Sequence, residues 1–304
     1  MAEPRILLLG ANGQVGYALQ RSLSILADVI PVSRKECDLS QASDVRALVR
    51  TVRPISIVNA AAYTAVDRAE QDEAGATTIN AELPAILSEE SRALDAALIH
   101  YSTDYVYDGT KTSPYIETDS PNPASIYGRS KLQGDLAVLD TPNGVVLRTS
   151  WVYCAYGQNF LKTILRLAKE RTSLRVVADQ FGAPTSADLI ADVTAQVLRN
   201  VLRRSSGSTV SGLFHLTASG RTSWYEYATY IVDLAHRAGL PLTLDAEGIV
   251  GIPATEYPLP AARPANSVLA TEKIRAAFDV RLPAWQDGVR AAVNLIANLE
   301  GAKK

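Results

Sequence analysis

The sequence predicts an α/β fold in which a parallel sheet is flanked by helices and followed by a smaller C-terminal lobe. Three observations point there. Short apolar runs without polar alternation recur through the first half, as strands buried on both faces require. Stretches of helical periodicity separate them. A glycine-rich turn follows the first run directly. The 304 residues, 47% apolar and 20% charged, supply the apolar surface of such a core and exclude an intrinsically disordered chain. Thirty Lys and Arg against 32 Asp and Glu leave a net charge of −2, so no global field favours nucleic acid.

Taken in order, Arg5–Leu9 reads as a strand and Gly13–Leu26 as a helix, then Val29–Val32 as a strand. Ser43–Val52 is a helix with Val45, Leu48, Val49 and Val52 on one face. Ile55–Asn59 is a strand, Ala81–Leu94 a helix, Ile99–Ser102 and Gly144–Leu147 further strands. Beyond these, Asn159–Lys169 and Ala187–Leu202 are expected helices, with Leu174–Val177 and Gly212–Leu216 as strands. The stretch from Pro253 to Pro264 is too rich in proline for a helix and is expected to be extended. Trp285–Leu299 is the last helix. Residues 1–150 are expected to form one domain and 151–304 mainly the smaller lobe, with segments around 174–203 returning to the first.

The longest apolar runs, such as Ile6–Leu9, fall far short of the roughly 20 residues of a spanning helix. The start, Met1-Ala2-Glu3-Pro4-Arg5, carries no signal-peptide pattern, so a cytoplasmic protein away from membranes is expected. Cys37 and Cys154 are too few for a disulfide framework, although counting alone leaves one bridge open. His100, His215 and His236 show no metal-ligand spacing, and no resident metal is expected.

The turn Gly10-Ala11-Asn12-Gly13-Gln14-Val15-Gly16 lies between a strand and an amphipathic helix. Glycines there make a tight turn, bring backbone N–H groups to a pyrophosphate and pack helix on strand. This makes the first half a Rossmann-type, dinucleotide-binding domain, with Gly10, Gly13, Gln14, Val15 and Gly16 at the cofactor. The three-and-three glycine spacing resembles the extended short-chain dehydrogenase/reductase superfamily. An NAD-type site carries an acid after the second strand; here Ser33-Arg34-Lys35 stands instead. Ser33 and Arg34 can bond a 2′-phosphate, which favours NADPH, with NADH left open; the other reading is a solvated surface turn. Asp38, beside Leu39, is placed to accept from the adenine amino group. The small residues from Asn59 to Ala62, leading into Tyr63 and Thr64, suit a flat cofactor or tight helix–sheet packing equally.

Tyr127 and Lys131 are four apart, on one face of a helix. A phenol near pKa 10 is a proton donor at neutral pH, and a nearby cation favours the phenolate it leaves. Lys131 can also hold the nicotinamide ribose. Thr103 ends a strand in Ser102-Thr103-Asp104, where a hydroxyl can stabilise a developing alkoxide. Each pattern alone also fits a structural role: a surface helix pair, or a turn that stops a strand. His100, two residues before Ser102, is read as a packed core histidine.

Several blocks together are more specific. Ser102-Thr103-Asp104-Tyr105-Val106-Tyr107, Tyr127-Gly128-Arg129-Ser130-Lys131 and Arg148-Thr149-Ser150-Trp151-Val152-Tyr153 occur in order with the segment from Asp179 to Thr185. With the stretch from Asn59 to Glu70 and Arg263-Pro264-Ala265-Asn266-Ser267, the chain from Ile6 to about Trp285 resembles the dTDP-4-dehydrorhamnose reductase family. The resemblance implies reduction of the C4 keto group of dTDP-4-dehydro-L-rhamnose to dTDP-L-rhamnose, within nucleotide-sugar and polysaccharide biosynthesis. It implies that the turn around Gly13, Asp38-Leu39 and Ala62-Tyr63-Thr64 bind the dinucleotide. Tyr127 is then the proton donor, Lys131 its ribose-bound partner, and Thr103, Asp104 and Trp151 contact the sugar. Without the resemblance Trp151 reads as a core tryptophan. A homodimer is compatible with the family, but Ala18 stands where some members carry a glutamate that holds a bridging divalent cation. That argues against a Mg2+-bridged dimer. Tyr105 after Asp104, where sugar-nucleotide dehydratases carry an acid, argues against water elimination. The alternatives are a reductase or epimerase of another nucleotide sugar, separated by turnover on a substrate panel, and a non-catalytic NADP-binding regulatory subunit, separated by hydride transfer itself.

Overall fold

The computed structural model describes residues 3–203 and 211–301; Met1 and Ala2 of the expected N-terminal lead-in lie outside them, as do the last three residues of the expected second lobe. The first half runs β1 (Arg5–Leu9), α1 (Gln14–Leu23), β2 (Asp28–Val32), α2 (Ala42–Val52), β3 (Ser56–Asn59), α3 (Val66–Ala69), α4 (Glu73–Thr77), α5 (Leu83–Leu94), β4 (Ala97–Thr103), α6 (Ile126–Leu139) and β5 (Gly144–Thr149). The second continues with β6 (Val152–Tyr153), α7 (Phe160–Glu170), β7 (Leu174–Val177), β8 (Phe181–Gly182), β9 (Thr185–Ser186), α8 (Ala187–Leu202), β10 (Gly212–His215), β11 (Thr222–Ser223), α9 (Trp224–Arg237), β12 (Ile249–Ile252), α10 (Glu272–Phe278) and α11 (Trp285–Gly301).

Among the described residues six strands form one parallel sheet in the order β10-β5-β4-β3-β1-β2. The order reverses between β1 and β3, the switch point of a doubly wound sheet. Successive side chains of β1 go to opposite faces. Ile6 and Leu8 join Leu19, Leu23 and Ile190 in one core, and Leu7 and Leu9 join Val45, Val49 and Leu87 in the other. Burial on both faces is why these strands read as unbroken apolar runs. A third core is built by α7, β7, α9 and α11, with Leu161, Tyr227, Ile231, Trp285 and Val289 at its centre.

The structure departs from several expectations. The first helix stops at Leu23 rather than Leu26, because the Ser24 hydroxyl donates to the Arg21 carbonyl and offers the backbone another ending. The helix expected from Ala81 is continuous with α4 through a π-helical turn, Thr78–Glu82, in which Leu83 N–H donates to the Thr78 carbonyl. Pro84 lacks the N–H that would have bonded Asn80 in an α-helix, so the wider turn costs little there. Strands β4 and β5 run on through polar residues, pairing Ser102 with Arg148 and Thr103 with Thr149. Beyond residue 150 the chain crosses back to the main sheet twice, α8 within the stretch expected to return and β10 beyond it. Strand β10 pairs with β5 inside the main sheet, and α8 packs on α1 in its core, whereas β7 pairs with β12 outside it. The Pro253–Pro264 stretch is extended apart from one 3-10 turn, Ala254–Glu256, and the residues after it return to the centre. There Phe181 N–H donates to the Ala265 carbonyl and Ser267 N–H to that of Phe181.

Candidate active site

A cleft in two continuous compartments, about 740 and 460 Å3, opens at the carboxyl ends of β1, β3 and β4. That is the switch point, where α/β sheets of this kind bind ligands. The first compartment starts at the glycine turn. Gly10 sits at φ +76°, and a Cβ there would come within 2.6 Å of the Ala61 nitrogen. A Cβ on Gly16 would lie 2.1 Å from the Gly10 carbonyl oxygen, so Gly16 serves the packing of α1 on the turn. Gly13 caps α1 and no side chain bonds the first-turn N–H groups, which leaves them for an anion. These residues fit a dinucleotide pyrophosphate.

Around this turn Val15 lines the inner compartment, Leu39 and Tyr63 the outer one, and Ala62 borders both. Thr64 lines the inner one, beside Tyr127. Tyr63 is held from both ends, its N–H donating to Asn80 Oδ1 and its hydroxyl to Asp72 Oδ2. The side chain of Gln14 turns toward the second half, where its Oε1 accepts from Asn159 Nδ2 and Cys154 Sγ. Asp38 lines the compartment, but one of its oxygens already takes the N–H and hydroxyl of Ser40. Ser33, expected to be free for a 2′-phosphate, is engaged as well: its N–H and hydroxyl both donate to Glu36, a consequence of the tight turn that brings Glu36 back over it. Arg34 and Lys35 border the same compartment and are exposed.

The inner compartment brings Thr103, Asp104, Tyr127, Lys131 and Trp151 together. Ser125 caps α6, its hydroxyl accepting from Gly128 N–H, and sets the register that turns Tyr127 and Lys131 inward. Burial pushes the Tyr127 phenol upward, with the Asp104 and Asp135 carboxylates adding to it and the Thr103 hydroxyl opposing. Lys131, expected from spacing to lower the phenol, turns its ammonium to other partners. The ammonium donates to the Tyr101 carbonyl at 2.5 Å and lies 3.2 Å from His100 Nε2. Burial brings Lys131 down to about 8, held up by Asp135, so it is a cation at pH 7. His100 is buried as expected, yet it is more than packing: it touches both Lys131 and Asn59. Burial holds it well below the usual histidine range, so it is neutral.

Asp104 is 3% exposed, and its Oδ1 accepts from the Thr103 hydroxyl while Oδ2 has no partner. The Thr149 hydroxyl, on the same compartment, is also unpartnered. Unspent polar atoms in a buried cleft are where a hydroxylated ligand would bind. Trp151 adopts a left-handed φ of +49° and stacks on Trp224, ring centres 3.4 Å apart, with one edge of the cleft left to it. A Cβ on Gly182 would meet its indole at 2.5 Å.

Spacing alone missed the support behind these groups. Asp135, one turn beyond Lys131 on α6, forms a fully buried ion pair with Arg148 at 3.0 Å and accepts from the Ser102 hydroxyl. Its i+4 position was a readable signal. Arg148 in turn donates to Tyr107, whose hydroxyl lies 2.9 Å from His215. Trp224 opens α9 behind a capping box, Ser223 with Glu226, a pattern visible in the sequence. Cys37 and Cys154 are free thiols. Among the described residues no helix is long and apolar enough to cross a membrane.

Residues 4–298 match the family described as the RmlD substrate binding domain. A dTDP-4-dehydrorhamnose reductase of Burkholderia thailandensis is 48% identical over 291 residues, 95% of this chain and 98% of that protein. One from Escherichia coli strain K12 is 46% identical over 294 residues, 95% and 97% of the two chains. Among solved structures, a Bacillus anthracis dTDP-4-dehydrorhamnose reductase in complex with NADP superposes with a TM-score of 0.86 at 33% identity, covering 95% of this chain and 98% of that one.

Proposed function

Because this chain belongs to the dTDP-4-dehydrorhamnose reductase family, we infer that it reduces the C4 keto group of dTDP-4-dehydro-L-rhamnose to the alcohol of dTDP-L-rhamnose. NADPH supplies the hydride when bound. The observation that carries the reading is the convergence of Thr103, Tyr127, Lys131 and Trp151 on one compartment of a cleft whose other compartment begins at a helix N-terminus whose first N–H groups no side chain bonds.

In this reading each residue has one task. Tyr127, kept protonated by burial, donates its phenolic proton to the carbonyl oxygen as the C4 carbon is reduced. The Thr103 hydroxyl eases the phenolate that this leaves beside the new alcohol. Lys131, anchored on the Tyr101 carbonyl and charged at pH 7, holds the nicotinamide ribose. Asp104 Oδ2 accepts from a sugar hydroxyl, and the free edge of Trp151 covers the sugar's apolar side. Positioning and charge stabilisation are the protein's contribution, since the cofactor carries the hard step.

The test is the loss of NADPH absorbance on mixing the enzyme with dTDP-4-dehydro-L-rhamnose. Tyr127→Phe is expected to keep NADPH binding within about twofold while turnover falls on the order of 100-fold or more. Rapid oxidation by the phenylalanine variant would remove Tyr127 as the acid. No oxidation by the wild type would overturn the substrate assignment.

A further inference from the structure

The Lys131 ammonium carries three N–H donors on a buried stem. One goes to the Tyr101 carbonyl and another faces His100 Nε2 at 3.2 Å. Lys131 also lines the inner compartment, so the third is left for the cleft. His100 stands on β4 in register with Asn59 of β3, and its Nδ1 lies 3.2 Å from Asn59 Nδ2. Asn59 Oδ1 meanwhile accepts from the N–H of Ala61, a residue on the wall of the outer compartment. A neutral imidazole has one N–H and one lone pair, and burial keeps His100 neutral. When the Asn59 amide group takes that lone pair at Nδ1, the ring proton sits on Nε2 and faces Lys131. An Nε2–H can donate to a neutral amine, but an ammonium has no lone pair to receive it. The Asn59 orientation and the charge on Lys131 therefore exclude each other. A charged Lys131 needs the lone pair at Nε2, which moves the ring proton to Nδ1. Asn59 must then turn its amide over, present Oδ1 to that proton and give up the Ala61 N–H.

We propose that His100 is a positioning residue for Lys131: as the Nδ1–H tautomer it accepts from the ammonium and, with the Tyr101 carbonyl, aims the third N–H into the cleft. The inference rests on the reading above, in which that N–H holds the cofactor ribose. When Lys131 loses its charge the chain reverses. The ring proton moves to Nε2 and donates to the amine, and Asn59 turns back to Ala61. One proton in total leaves for solvent, since the imidazole carries one throughout. The charges around the unit set where this happens. Asp135 on α6 favours the ammonium, opposing the burial that brings Lys131 to about 8, and Arg148 of β5 is paired to Asp135. Tyr127, one turn before Lys131 on α6, is kept protonated by burial, and Asn59 on β3 has no charge. Both arrangements are therefore reached within a unit or two of neutrality.

The chain has three histidines, so nitrogen-15 labelling of histidine resolves their ring nitrogens in the intact protein, with His100→Gln identifying the His100 signals. At about pH 6.5 His100 is expected to show a bare Nε2 and a protonated Nδ1, and at about pH 9.5 the reverse. A protonated Nε2 at the lower pH overturns the proposal, and so does a ring proton that stays on one nitrogen at both. The second readout is NADPH affinity against pH, followed by the fluorescence of the bound dinucleotide. The wild type is expected to lose affinity as Lys131 deprotonates near pH 8. His100→Leu removes an acceptor from a charged donor and should move that loss about one pH unit lower. His100→Gln keeps an acceptor near the Nε2 position and should stay within about half a unit of the wild type. Weaker binding in both variants with the midpoint unmoved would make His100 a mere filler of the core and overturn the proposal. If the leucine variant fails to fold, the wild-type nitrogen signals decide. A wild type that binds no NADPH at any pH would instead remove the cofactor reading, and the same signals would still judge the His100 contact.

Discussion

Asp104 carries a cost that the fold tolerates for its position in the cleft. Its carboxyl is buried with one of its own oxygens unpartnered, and burial raises it to about 6, partly offset by the Ser267 and Thr103 hydroxyls. A carboxyl that binds its proton more tightly folded than unfolded loses stability for the fold as pH rises from about 4 to 6, and the loss persists above. Asp104→Asn removes the charge and keeps the shape. At pH 7.5 it is expected to be more stable than the wild type by roughly 1–3 kcal/mol, with the gap closing as pH falls toward 4. Thermal unfolding at both pH values measures this, and a variant less stable at pH 7.5 would show that the carboxylate is a structural support.

At the scale of elements, the register of α6 depends on two places where it touches neighbours without a side chain between. A Cβ on Gly134 would lie 2.1 Å from the Asn80 carbonyl oxygen in the π-helical turn, and one on Gly128 would lie 2.2 Å from that of Tyr105. Gly134→Ala must push α6 off that turn and carry Tyr127 and Lys131 with it. We expect a loss of about 1–3 kcal/mol in stability together with weaker NADPH binding, read by denaturant unfolding and by titration. Normal cofactor affinity in a destabilised variant would separate the helix contact from the site. The glycine turn, the Tyr127/Lys131 pair and the strands of the first half were legible because their signals are local: a positive-φ turn between strand and helix, an i+4 spacing, an unbroken apolar run. The π-helical turn was not, since it answers to Pro84 and to Gly134 some 50 residues away. Nor was the Lys131 ammonium's partner, because a backbone carbonyl on β4 leaves no mark on side-chain spacing. The ends of β4 and β5 were cut short for a related reason. Their polar residues are buried in a network with Asp135, and only the assembled sheet shows them paired.

For the molecule as a whole, the chain passes between its two parts more than once: α8 comes back within the stretch around 174–203 expected to return, and β10 beyond it. After the sheet is nearly complete it builds α7 and β7 in the other core, returns for α8 and β10, then leaves for α9, β12 and α11. Long-range pairing of β10 with β5 is the kind of contact that a linear reading cannot see. Side-chain ties reinforce the crossings: Gln14 in the glycine turn is held by Asn159 and Cys154, and Arg263 bonds Asp67. The stacked pair of indoles spans the same junction. Trp151 leaves the sheet directly after β5, and Trp224 opens α9, with ring planes 9° apart. Two chromophores that close share their electronic excitation, so the junction carries an optical reporter that needs no label. The native chain should show a circular-dichroism couplet that Trp224→Phe abolishes, and saturating nucleotide sugar should change its amplitude if the sugar leans on the Trp151 edge. A couplet indifferent to ligand would mean that sugar and indole do not meet.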